Sequence, residues 1–377
     1  MLRIEKSEIM NNRLEKLSET IVNYSLNVQA GETVLISCNE KCRPLVKRLI
    51  VDITKIGGIP FVDMMDDEIN ALLLEHTTDN RIPFIQARKQ YDVDHYDCFI
   101  HIRYTQNEFN DKNVPSEIRQ KIGKATEKID DIRINERRWV LLNYPSHMDA
   151  FKARMTNDEF YNYALDVMNV DYQAMYEKIK PLEALMLKTD KVRLVAPNTD
   201  LTFSIKDITV VPCCGKSNIP DGEIFTAPVR DSVNGTITYN TPCPYQGNIY
   251  TGVSLTFEDG KIVECHCNED NEALKKIFDT DEGARYIGEF SLGLNPEIMD
   301  PMGDILYDEK IIGSIHFTPG RAYEEADNGN TSAIHWDMVL VMLENYGGGE
   351  IYFDDVLIRK DGLFVLDELK ALNYNLK

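Results

Sequence analysis

Two hydrophobic periodicities alternate along the first half of the chain. Positions 13–26 repeat apolar residues at helical spacing, and Gly31-Glu32 then opens a short apolar run at 33–37. Positions 43–56 read as an amphipathic helix closed by Gly57-Gly58, 59–64 as a second strand and 67–76 as a further helix. Apolar runs at 98–102 and 139–143 predict two more strands, and 157–168 and 171–188 two more helices. Such alternation predicts a mostly parallel sheet covered by helices. Beyond Lys191 the texture changes to short strands with turn signals, at 192–196, 201–205, 235–239, 252–257 and 261–265, with a helix at 272–278. Asp259-Gly260, between two of these runs, is a hairpin signal. The expected fold class is α/β. An N-terminal α/β domain with a mostly parallel sheet spans residues 1–185, and a C-terminal α+β metal-binding domain rich in strands spans 186–377.

A chain of 377 residues is long for one core, which supports the two-domain reading. Its net charge of −21 argues against nucleic acid and anionic membranes as partners, since both call for basic patches. There is no apolar run of about 18 residues, so no membrane-spanning helix is expected. Positions 1–13 lack the apolar stretch of a secretory signal, and the expected compartment is the cytoplasm. The eight cysteines are then expected as reduced thiols, and no two of their clusters share zinc-site spacing. Cys38-Asn39-Glu40-Lys41-Cys42 after the first strand is no glycine-rich phosphate loop, which argues against a nucleotide site.

The candidate chemistry lies in the second half. His335 and Asp337 are two apart in the apolar run 334–342, and a strand would present both on one face. With His316 from a neighbouring segment they form two imidazoles and a carboxylate, a set that holds a divalent transition metal with open positions. Glu223 follows Pro220-Asp221-Gly222 and is either a ligand on a rigid loop or an exposed turn acid. Glu289 sits between apolar neighbours, and an unpaired carboxylate is too costly to bury, so it is either paired or at the edge of a site. Asp308 and Glu309 precede the apolar stretch that leads to His316, either as a surface pair or with one acid reaching a metal. Tyr323 either donates to an oxyanion or packs. His76, His95, His101, His147 and His266 lack partners at ligand spacing.

Taken together, these segments resemble the aminopeptidase T and aminopeptidase S family of metallopeptidases. The resemblance is carried by Asn218-Ile219-Pro220-Asp221-Gly222-Glu223-Ile224-Phe225-Thr226-Ala227-Pro228, by Gly288-Glu289, by His316 with Tyr323, and by His335-Trp336-Asp337, in the family's order. It implies two divalent ions (zinc, cobalt or manganese) held by Glu223, Glu289, His316, His335 and Asp337, with Glu289 bridging and Glu309 as a sixth ligand. It implies Glu289 and Tyr323 as catalytic groups, a peptide substrate with a free N-terminus, and a homodimer. Metal-activated water would attack the peptide carbonyl, a glutamate would relay its proton, and Tyr323 would steady the oxyanion. The stretch between His316 and His335 is shorter than in the best-known members, which points to a divergent relative. The alternative reading is a mononuclear iron ring-cleaving dioxygenase of dihydroxypyridine type, which needs only His316, His335 and Asp337.

Overall fold

The computed structural model describes residues 12–107, 109–374 and 376, and most of the stretch examined for a secretory signal lies outside them. The chain divides into two compact units, one of residues 1–169 and 215–220, the other of 170–214 and 221–377. The boundary expected at 185 thus lies inside the second unit. Helix Tyr172–Met186 belongs there because its apolar face (Tyr172, Met175, Ile179, Leu182 and Met186) is buried and the helix packs on Val211–Cys213 and on the C-terminal turn Asp367–Asn373.

The first unit is built on a five-stranded, all-parallel sheet in the order Ile59–Met65, Thr33–Asn39, Cys98–Arg103, Arg138–Asn143, Asn218–Ile219. Parallel neighbours need crossovers, and helices such as Arg43–Lys55, Ile82–His95 and Ser116–Asn135 supply them. The helix expected at 13–26 is α-helical over 12–19 and continues as the π-helical turn Thr20–Ser25.

Antiparallel strands dominate the second unit. An eight-stranded sheet runs in the order Lys261–His266, Ser254–Glu258, Asn234–Thr238, Thr199–Ser204, Lys191–Ala196, Glu350–Phe353, Val356–Lys360, Leu363–Phe364. The Asp259-Gly260 hairpin is formed, with both residues at positive φ (44° and 82°), as a two-residue turn matching the strand twist requires. A five-stranded sheet has the order Val339–Val341, Ser314–Pro319, Ile287–Gly293, Glu223–Thr226, Val211–Cys213. Its apolar face sends Phe290 and Phe317 against Phe203 of the larger sheet, at ring distances of 4.9 and 5.1 Å. Among the described residues no helix is long and apolar enough to cross a membrane.

Candidate metal centre

The opposite face of the five-stranded sheet carries the chemistry. Along Ile287–Gly293, residues Glu289, Ser291 and Gly293 point one way while Phe290 and Leu292 point into the core. Register places Ser291 opposite His316, Glu289 opposite Thr318 and Gly293 opposite Glu223. Glu223, Glu289 and His316 therefore share one face, although 66 residues separate the first two in sequence (289 − 223). Glu223 opens its strand directly after Asp221-Gly222. Gly222 has φ +127°, and a Cβ there would stand 3.1 Å from the Asn295 backbone, so glycine permits the close turn that Asn295 Nδ2 fastens by donating to the Asp221 carbonyl at 2.7 Å.

His335 and Asp337 were expected on a strand, but the strand is only Val339–Val341, with a single bridge between Gly320 and His335. The ladder stops because the neighbouring strand ends at Pro319, which has no N–H, and turns at Gly320, φ +110°. Extended backbone still alternates the side chains. Trp336 turns away into a cage of Tyr245, Tyr250 and Phe278, at 4.7, 5.6 and 5.9 Å between ring centres. His335 and Asp337 turn back toward Glu289.

Glu289 faces both imidazoles. Its Oε1 is 3.0 Å from His316 Nε2 and its Oε2 is 3.4 Å from His335 Nε2. His335 Nε2 is also 3.2 Å from Asp337 Oδ1, and His316 Nε2 is 3.4 Å from Glu223 Oε2. On the far side of each ring, Nδ1 donates to a backbone carbonyl: His316 to Glu309 at 3.3 Å, His335 to Arg321 at 2.7 Å. That contact fixes the tautomer and turns each Nε2 lone pair into the cluster. His335 Nε2 is buried and makes no hydrogen bond of acceptable geometry.

Supporting hydroxyls hold the acids. Ser291 Oγ donates to Glu223 Oε2 at 2.9 Å, and Thr318 Oγ1 donates to Asp337 Oδ1 at 2.8 Å. The two acids before His316 part ways. Asp308 accepts from the Met302 and Gly303 amides at 2.7 and 3.0 Å and holds a loop, whereas Glu309 joins the cluster. Lys310 has a side chain that is 0 % exposed, and its Nζ donates to Glu223 Oε1 at 3.0 Å and to Glu309 Oε1. The Tyr323 ring lies 4.6 Å from the His335 ring and 5.8 Å edge-on to Phe225.

Electrostatics follow from this crowding. Burial alone would discharge His316 and His335, yet the surrounding carboxylates, Glu223 first for His316 and Asp337 first for His335, raise them to about 10 and about 11. Burial likewise opposes ionisation of Asp337 and Glu289, but the two histidines hold both below the usual carboxylate range. Glu309 behaves differently: burial pushes it up to about 8, with Glu223 and Asp337 adding to the rise and Lys310 opposing it. Tyr323 is 41 % exposed as a residue, and partial burial of its phenol, reinforced by Asp337 and Glu289, keeps that phenol protonated.

The donors fit a divalent cation. Ligand atoms of Glu223, Glu289 and His316 lie within 4.8 Å of one another, as do those of Glu289, His335 and Asp337, and those of Glu309, His316 and Asp337. Carboxylate oxygens and neutral imidazole nitrogens are the donors such ions take, and the orphaned His335 Nε2 lacks a partner that one would supply.

The profile of the thermophilic metalloprotease (M29) family matches residues 10–357, most of the chain. The chain belongs to that family. It is similar to aminopeptidase 2 of Geobacillus stearothermophilus, 24% identical over 93% of this chain and 94% of that protein. Aminopeptidase PepS of Streptococcus thermophilus is 25% identical over 87% of this chain and 91% of its own length. Wild-type AmpT from Thermus thermophilus has the same fold, with a TM-score of 0.78 and 21% identity, covering 94% of this chain and 99% of that one.

All six acids and histidines proposed from sequence lie in one cluster, with Tyr323 beside it. Sequence reasoning missed three members of the site. Ser291 and Thr318 sit two residues from Glu289 and His316, so strand alternation alone could have placed them on the same face. Lys310 had no such signal, because nothing in the order Glu309-Lys310-Ile311 marks a lysine as buried.

Proposed function

We propose that this chain is a metal-dependent aminopeptidase, whose second unit carries out catalysis by attack of a metal-activated water on the first peptide bond of a substrate with a free N-terminus. The observation that carries the proposal is the convergence of Glu223, Glu289, His316, His335 and Asp337 on one face, with both Nδ1 atoms tied back to carbonyls. The M29 profile match and the aminopeptidase names of the relatives above support it. The iron dioxygenase reading has no counterpart among those relatives.

In this reading Glu289 stands between the two imidazoles and is the shared ligand of two overlapping donor sets, with Glu223 and His316 on one side and His335 and Asp337 on the other. A divalent ion held there (zinc, cobalt or manganese) supplies Lewis acidity toward water and the scissile carbonyl. Glu309, held at the cluster by the Lys310 ammonium, takes the proton from water and passes it to the leaving amine. Tyr323, held protonated, donates to the developing oxyanion, a contact that is typically worth about 3 kcal/mol in the transition state. Eight unpaired cysteines among the described residues support a reducing, cytoplasmic setting. Assembly as a homodimer rests on the resemblance alone.

The test uses chelator-stripped chain reloaded with zinc, cobalt or manganese and offered paired peptides with free and N-acetylated termini. Metal-dependent release of the first residue from the free-amine peptide only is expected. Equal cleavage of both, or turnover that survives stripping, would refute the proposal.

A further inference from the structure

The buried lysine is a charged member of the cluster that the reaction above leaves without a chemical role. Four carboxylates crowd this face, and two of them, Glu223 and Glu309, are already bound by Lys310 Nζ. Both oxygens of Glu223 are engaged, Oε1 by Lys310 at 3.0 Å and Oε2 by Ser291 Oγ at 2.9 Å. At the other end, His335 Nε2 has no hydrogen-bond partner and faces Asp337 and Glu289 at 3.2 and 3.4 Å. The cluster is therefore asymmetric, with a protein cation at one end and the donor triad of Glu289, His335 and Asp337 at the other.

The lysine is fixed where it stands. Its amide donates to the Tyr307 carbonyl at 2.9 Å and its own carbonyl accepts from Asn295 N at 3.0 Å. Gly293 lets this backbone approach the sheet: a Cβ there would stand 2.2 Å from the Ile311 carbonyl oxygen and 3.0 Å from the Lys310 carbonyl carbon. Its side chain is 0 % exposed, so the ammonium is held out of contact with solvent.

We infer that Lys310 is a permanent cation of the metal centre, taking the place of one of two divalent ions, so that each chain tightly holds a single ion at Glu289, His335 and Asp337. The inference rests on the metallopeptidase reading and refines its metal count. A divalent ion at Glu223 and His316 would sit one carboxylate away from the ammonium, in a site where solvent and salt screen little. Its affinity is expected to be weaker than that of the first ion by a factor on the order of a hundred or more. Lys310 also holds Glu309 in place, which makes it a positioning residue for the proton carrier.

The experiment takes the full-length chain, strips it with chelator, loads it with Mn²⁺ or Zn²⁺, and measures bound metal per chain after desalting, with the Mn²⁺ electron paramagnetic resonance spectrum in parallel. Wild type is expected to keep one ion with the six-line spectrum of an isolated Mn²⁺. Lys310→Met should keep two, with an exchange-coupled spectrum, and Lys310→Arg, which retains the charge, should stay at one. Two tight, coupled ions in wild type overturn the inference, and so does a Lys310→Met protein that still holds only one. If Lys310→Met does not fold, the wild-type count and spectrum decide alone. A wild type that binds no ion overturns the metallopeptidase reading itself, and the inference with it.

Discussion

Thr318 Oγ1 donates to Asp337 Oδ1 at 2.8 Å, tying the extended His335–Asp337 segment to the strand that carries His316. This hydroxyl orients a proposed ligand without touching the ion. Thr318→Val should weaken metal affinity by about 10–100-fold, the usual effect of losing such a support, while Thr318→Ser keeps most of it. Competition with a chromophoric chelator measures the difference, and equal affinity in Thr318→Val would remove the hydroxyl from the site's design.

Removing a ligand should cost more than removing its support. His335→Ala and Asp337→Ala are each expected to lose more than about 100-fold in kcat/KM and to retain less metal. Steady-state rates on a free-amine peptide, with metal content measured on the same samples, check both. Wild-type turnover in either variant would displace the proposed centre.

Metal loading should release protons. In the metal-free protein the acids raise His316 to about 10 and His335 to about 11, so both imidazoles are charged at pH 7. The ion held at Glu289, His335 and Asp337 needs His335 neutral, and about one proton should therefore leave per chain on loading. The sign follows directly: apparent affinity rises with pH up to about 11 and falls by up to about 10-fold for each unit of acidification near neutrality. Calorimetric titrations at pH 7 in buffers of different ionisation enthalpy give the proton count, and a heat independent of buffer would contradict it.

Trp336 anchors the segment from behind. It is 3 % exposed and packs among Tyr245, Tyr250 and Phe278. Trp336→Ala should destabilise the second unit by about 3–5 kcal/mol and loosen His335 and Asp337 together. Denaturant unfolding reports the first effect and metal retention the second; loss of stability with undiminished metal binding would show that the cage does not position the ligands.

Local pattern carried much of this structure, and its failures have physical causes. Apolar periodicity found helix Asn157–Met168 at its observed ends, and Asp259-Gly260 marked a hairpin because so few residues accept positive φ in succession. The strands that present Glu223 and Glu289 were harder. Glu223–Thr226 and Ile287–Gly293 are buried on both faces, so the alternation that announces a half-exposed strand is absent. His335-x-Asp337 was read as part of a strand, and the side chains do share a direction although the ladder breaks at Pro319-Gly320. The i, i+2 argument needed only extended backbone. Lys310 was illegible because its burial depends on Glu223, 87 residues away, and on the glycine at 293 that admits its backbone.

Donors and core rings alternate residue by residue along the same extended segments: Glu289 beside Phe290, His316 beside Phe317, His335 and Asp337 on either side of Trp336. Disabling the chemistry therefore need not disturb the hydrophobic layer behind it. An inactivated Glu309→Gln protein should keep its architecture and capture an uncleaved peptide, which makes this chain suited to substrate-trapping crystallography.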